Sequence, residues 1–179
     1  MIVLPIPSLE GLHTERLRFR RLTLDDLEWW MDYMHNAEAV RFMPFEVGSL
    51  RDGKMMIQRS LDRYAQDGSG LNALLLRDGG LPVGQCGLLT QEVDGQPELE
   101  IGYHFLPQHW GCGYATEAAM ACKRFATEHQ LALSVISLID PDNLRSQAVA
   151  TRNGMERGKL TMHRGKAAYV YRVAMANGT

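Results

Sequence analysis

The sequence predicts a single-domain α/β protein with a mixed, mostly antiparallel sheet flanked by helices. Three observations carry that expectation. The chain has 179 residues, 45% hydrophobic and 22% charged, close to average globular composition and long enough to bury one core. Its apolar pattern switches repeatedly between the two-residue period of strands and the longer helical period. Its middle carries the turn signals Asp78-Gly79-Gly80 and Asp94-Gly95 between short apolar runs, as hairpins require.

The elements follow in order. Thr14 to Leu22 reads as a strand, with Leu17 and Phe19 alternating against Arg18 and Arg20 to leave one wet face. Thr23 ahead of Leu24-Asp25-Asp26 is an N-cap with acids in the first turn, and a helix is expected to about Asn36. Ser49 with Asp52 three residues on starts a second helix, which runs through Met55, Met56, Arg59 and Leu61 to Tyr64 as far as the Asp67–Gly70 breaker. Leu71–Arg77, Leu81–Val93 and Glu98–Leu106 are three antiparallel strands joined by the two turns. Tyr114–Gln130, rich in Ala, Glu and Met without a breaker, is a helix. Leu131–Ile139 is a buried strand, Asn143–Asn153 a helix, and Arg157–Met162 and Ala168–Ala174 are two closing strands. No linker, repeat or low-complexity segment interrupts the order β-α-α-β-β-β-α-β-α-β-β. A single domain over residues 1–179, with its core at 12–174, is expected.

Bulk properties narrow the function. A net charge of −2 implies no broad nucleic-acid surface. No apolar run reaches the roughly 18 residues of a membrane span. Met1 to Leu9 is apolar but holds two prolines and no basic residue, unlike a secretion signal. Cys86, Cys112 and Cys122 show no paired spacing, so neither a metal site nor a disulfide framework is expected, and a cytoplasmic setting is.

The most informative segment is Gln108-His109-Trp110-Gly111-Cys112-Gly113-Tyr114-Ala115-Thr116-Glu117, at the junction of a strand and the best helix. Two glycines allow close backbone approach to a ligand. The unpaired amides and partial positive charge of a helix start suit a phosphate. Tyr114 stands where a nucleotide-binding P-loop needs Lys, and Thr116 where a dinucleotide fingerprint needs a third glycine. A plain glycine-rich connector is the alternative.

Gln108-x-x-Gly111-x-Gly113-x-Ala115 resembles the Gln/Arg-x-x-Gly-x-Gly/Ala signature of the GNAT superfamily of N-acetyltransferases. Asn143-Leu144-Arg145-Ser146 leading to Asn153-Gly154-Met155 is similar to the family's second block, and Glu100-Ile101-Gly102-Tyr103 to its splayed central strand. The likeness covers Leu12 to Ala174 and is nearest to the Rim-type branch, whose members acetylate protein N-termini, with relatives acting on small amines. It implies the GNAT fold and acetyl transfer from acetyl-CoA, with no metal, to a small-molecule amine or a protein N-terminus. It also leaves a homodimer open, dimers being frequent among relatives. A CoA-binding sensor of the same fold without turnover is the other reading.

The resemblance implies roles residue by residue. Phe105 and Leu106 would pair through their backbone with pantetheine, as an added strand does. Gly111, Cys112, Gly113, Tyr114 and Ala115 would donate amides to the pyrophosphate, with Gln108 supporting the loop or the phosphates. Asn143 would touch pantetheine and Ser146 would face the sulfur. The attacking amine must be neutral. At pH 7 that costs about 4.6 kcal/mol for a lysine-like amine and about 1 kcal/mol for an α-amine. Glu100 is the candidate base, unless its alternation with Ile101 turns it to solvent. Where many family members place a thiol-protonating tyrosine, Ala150 stands. Ser146 is then the expected hydrogen-bond donor to the leaving thiolate, or else a helix cap, and Tyr103 an alternative donor.

Other residues read as structural. Of Trp29 and Trp30, one is expected inside and the other near the acceptor cleft. His35, His104, His109 and His163 lack metal-ligand spacing. Cys112 with His109 three residues away is a remote candidate for covalent chemistry. Met31, Met34, Met43, Met55 and Met56 are expected in the core, or lining an adaptable acceptor pocket.

Overall fold

Residues 1–175 are described by the computed structural model. Residues 176–179, the end of the expected domain, lie outside the described residues. The chain forms β1 (Leu17–Arg21), a 3-10 turn (Leu24–Asp26), α1 (Leu27–Met34), α2 (Ala37–Val40) and α3 (Leu50–Gln66). These are followed by β2 (Gly70–Leu76), β3 (Pro82–Val93), β4 (Gln96–Phe105) and a second 3-10 turn (Pro107–His109). Then come α4 (Tyr114–Glu128), β5 (Ser134–Ile139), α5 (Leu144–Arg152), β6 (Glu156–His163) and β7 (Lys166–Ala174).

Three details differ from the expectation. The helix expected from Thr23 to Asn36 has Thr23 as its N-cap, as expected, but its first turn, Leu24–Asp26, is 3-10. The Asp26 carboxylate accepts from Thr23 N (2.8 Å), Trp29 Nε1 (2.8 Å) and Arg20 Nη2 (2.6 Å). Asn36 does not merely end that helix. Its side chain accepts from Ala39 N at 3.0 Å and starts α2, a single turn that periodicity cannot signal. β5 begins at Ser134 rather than Leu131. Leu131 is buried instead as the apolar plug behind α4, its N–H donating to Ala126 O at 2.9 Å.

Seven strands make one sheet in the order β1-β2-β3-β4-β5-β7-β6. All neighbours are antiparallel except β4 and β5, which run parallel and share a single register pair, Glu100 with Ile136. Beyond it the two strands part, and Ser137 Oγ donates to Ile101 O at 2.9 Å at the point of divergence.

Alternation along β4 sends Leu99, Ile101 and Phe105 to one face, where they pack with Ala118, Ala119 and Cys122 of α4. The other face carries Glu100 and His104, and on that side α1 and α3 bury Trp30, Tyr33, Met34, Met56 and Ile57 against Leu71 and Ala73 of β2. Two cores thus sandwich the sheet, and the gap between β4 and β5 opens between them.

Candidate functional site

The loop between β4 and α4 is shaped by two glycines in the left-handed region, Gly111 (φ 78°) and Gly113 (φ 82°). A Cβ at Gly111 would meet nothing within 4 Å, and one at Gly113 only Arg16 Nη2 at 3.4 Å. The loop therefore has an open outer face. The first bond of α4 runs from Glu117 N to Gly113 O (3.1 Å), so the amides of Tyr114, Ala115 and Thr116 ahead of it have no partner within the helix. Open space, unspent amides and the positive helix end fit a pyrophosphate.

Arg16 holds this loop from below, a role invisible in a reading of Arg16–Arg21 as one strand's polar face. Its Nη1 donates to Cys112 O (2.9 Å), its Nε to Glu117 Oε2 (2.7 Å), and its guanidinium lies 4.6 Å from the Tyr114 ring centroid. Glu117 also accepts from Thr14 Oγ1 (2.5 Å) and Arg16 N (2.9 Å). Burial alone would raise the Glu117 pKa, but these hydrogen bonds outweigh it and hold the carboxyl below its ordinary value. Arg145 stacks 4.3 Å from the Trp110 ring centroid on the other side of the loop. Its place inside the Asn143–Ser146 block was the one sequence signal available.

Trp110 Nε1 donates to Phe105 O (2.7 Å) and Leu106 N to Val83 O (2.9 Å). The Leu106 amide is thus spent within the sheet, while Phe105 O keeps a second lone pair facing the gap. Gln108 is exposed in the 3-10 turn.

At the divergence of β4 and β5, Glu100 is buried (8% exposed) rather than turned to solvent. Gln91 Nε2 donates to its Oε2 at 2.6 Å and Leu138 N to its Oε1 at 3.3 Å. Across the gap, Asn143 Oδ1 accepts from Ser146 N at 3.1 Å and caps α5. The cap is therefore Asn143, which leaves the Ser146 hydroxyl without a hydrogen bond among the described residues. Tyr103 Oη donates to Ser146 O at 3.0 Å and spans the gap. Burial pushes the Tyr103 phenol well above its ordinary value, so at neutral pH it is a donor and not a base.

The remaining candidates fall elsewhere. Trp30 is fully buried, while half-buried Trp29 is tied to Asp26. Met34 and Met56 are core residues. Cys112 is exposed, with Sγ 3.8 Å from Trp110 O, and the His109 ring leans towards Tyr114. Among the described residues no cluster of three or more His, Cys, Asp or Glu could hold a metal ion, and no helix is long and apolar enough to cross a membrane.

Comparison with known proteins agrees with this geometry. Residues 16–156 match the family model described as an acetyltransferase (GNAT) domain. The YkkB protein of Bacillus subtilis (strain 168) is 40% identical over 89 residues, a stretch spanning 50% of this chain and 52% of that protein. An acetyltransferase crystal structure from Agrobacterium tumefaciens str. C58 superposes with a TM-score of 0.79 at 27% identity, covering 94% of this chain and 96% of that one. RimL, a ribosomal α-N-protein acetyltransferase in complex with coenzyme A, shares the fold with a TM-score of 0.71 at 16% identity, over 98% of this chain and 100% of that one. The glycine loop, the parted strands and the family match lead to one conclusion: this chain belongs to the GNAT acetyltransferase family.

Proposed function

We propose that this protein transfers acetyl from acetyl-CoA to a primary amine by direct attack within a ternary complex. The amine is a protein N-terminal α-amine, as for RimL, or that of a small molecule. The observation that carries the reading is a buried carboxylate, Glu100, at the point where β4 and β5 part, in the same molecule as an open amide cradle at Gly111–Thr116.

The thioester of acetyl-CoA supplies the acyl group. The chain's own residues do the rest. The amides of Gly111 to Ala115 hold the pyrophosphate, with Arg16 and Arg145 stiffening the loop. Phe105 offers its backbone oxygen along the gap, whereas Leu106 spends its N–H on Val83 O and its O on His109 N. Glu100 removes a proton from the incoming ammonium, directly or through water. The unbonded Ser146 hydroxyl donates to the departing sulfur.

Melting the protein with acetyl-CoA, CoA, ATP and NAD in parallel tests the cradle. A ligand at about 100 times its Kd adds about 2.7 kcal/mol, which raises Tm by several degrees. A shift with the CoA pair alone is expected; none with either reduces the loop to a connector. Ala150, buried in the core, leaves no hydroxyl at that position and favours a second reading, a CoA sensor. Free thiol released from acetyl-CoA in the presence of mixed amines distinguishes the enzyme from the sensor.

A further inference from the structure

The face of the sheet that carries Glu100 gathers several cationic side chains that form no salt bridge among the described residues. α3 crosses this face with Arg59 and Arg63 one helical turn apart, on one side of the helix. Arg63 Nη1 donates to Thr90 O at 2.9 Å, next to the Gln91 that holds Glu100. From the other side comes the β6–β7 hairpin, closed by the two-residue turn Arg164-Gly165 with both φ values positive (50° and 77°). Such a turn is stiff and presents Arg164 at a defined place. Lys166 Nζ pins the hairpin by donating to Met43 O at 3.2 Å.

None of Arg59, Arg63, Arg164 and Lys166 makes a salt bridge among the described residues. Asp67 offsets Arg63 in part, through Thr90 Oγ1, which donates to it at 2.6 Å. Glu100 is the carboxylate that acts on Arg164. Burial first, and then repulsion from Arg59 and Arg63, hold the Arg164 guanidinium below its ordinary pKa, with Glu100 opposing. His163, beside it, is likewise held down by burial.

This cluster cannot serve the cofactor's phosphates. The pyrophosphate loop opens α4, which packs on the opposite face of the sheet through Leu99, Ile101 and Phe105. Glu100 and the guanidiniums occupy the acceptor's side. We infer that the acceptor carries a carboxylate near its amine: the ammonium is drawn to Glu100 while the carboxylate is gripped by Arg59 and Arg164. Guanidinium is suited to that grip, because its planar fork matches a carboxylate. The inference rests on the acetyltransferase reading above and narrows its acceptor from any primary amine to an amino acid or an acidic amine.

The test uses a series of straight-chain amino acids of increasing length between amine and carboxylate, each paired with its carboxamide. Initial rates of thiol release from acetyl-CoA are measured for both. For at least one length the acid is expected to exceed the amide in kcat/KM by about tenfold or more, as loss of a charged hydrogen bond implies. Arg59→Gln with Arg164→Asn, chosen because Gln suits a helix and Asn the left-handed turn, is expected to bring acid and amide level. Acid and amide used equally at every length, or a preference that survives in the double variant, overturns the inference while leaving the acetyltransferase reading intact. If no amine releases thiol, that reading fails. Calorimetry of the same acids and amides on CoA-loaded protein then decides the subsite alone: tighter acid binding, lost in the double variant, upholds it, and equal binding overturns it.

Discussion

Glu100 shows how one side chain's position sets a testable demand. It is buried where β4 and β5 part, and Gln91 Nε2 from β3 and Leu138 N from β5 each donate to one of its oxygens. Glu100→Gln keeps the size and removes the base. With a lysine-like amine, kcat/KM is expected to fall by about 10²- to 10⁴-fold. With an α-amine, whose pKa of about 7.8 leaves an appreciable neutral fraction near pH 7, the loss should stay within about tenfold. Equal losses with the two amines remove Glu100 as the base. Gly113 makes a second demand. Its φ of 82° and the free space around it allow Asp or Asn, both tolerated in the left-handed region. A carboxylate about 4 Å from a phosphate repels it by about 4 kcal/mol near a protein surface. Gly113→Asp should therefore weaken CoA binding by well over tenfold in a titration, and Gly113→Asn by much less. Unchanged affinity in the Asp variant refutes the cradle.

At the scale of elements, the site is two helix starts facing across parted strands. α4 begins without a side-chain cap, Gly113 being its N-cap residue, which leaves its amides for a ligand. α5 begins with one, Asn143 bonded to Ser146 N. The contrast has a consequence. Asn143→Ala should cost about 1 kcal/mol of stability, read as a fall in Tm of about 2–4 °C, and should loosen the turn that presents Ser146. A Tm equal to the parent's would show that the cap contributes nothing. On the inference that Arg59 and Arg164 grip a carboxylate, the β6–β7 hairpin is the third element of the site. Its stiff turn brings Arg164 to the α3 side of the sheet, a meeting of residues more than a hundred positions apart that no local pattern announces.

For the molecule as a whole, the core on the α1–α3 side carries an acid-sensitive group. His104 projects into the α1–α3 side, its Nδ1 3.3 Å from Tyr33 Oη and its ring beside Trp30, and burial pushes its pKa down to about 4. The unfolded chain takes up that proton near pH 6.5. Because the folded state resists protonation, the unfolded state binds more protons between these two values, so stability is full above pH 6.5 and declines as pH falls towards 4. The slope is at most about 1.4 kcal/mol per pH unit from this residue. His104→Gln should flatten it in denaturant melts at pH 7 and pH 5. An unchanged slope assigns the acid sensitivity to other groups.

The order of elements and the glycine turn that opens α4 were legible in the sequence because both are local. Alternation in β1, the Asp94-Gly95 turn, the Ser49 cap and the glycines before Tyr114 each act within a few residues of chain, and composition and backbone geometry decide them. The parting of β4 from β5, the burial of Glu100 and the grip of Arg16 on Cys112 O were decided only by the tertiary structure. Each joins residues distant in sequence, and in each the outcome depends on which contacts between those segments are the more favourable. Strand alternation left Glu100 two faces, one wet and one covered. What settled it was the packing of β3 and β5 beside it, whose Gln91 Nε2 and Leu138 N hold its oxygens, and β5 carries no sign of β4 in the chain.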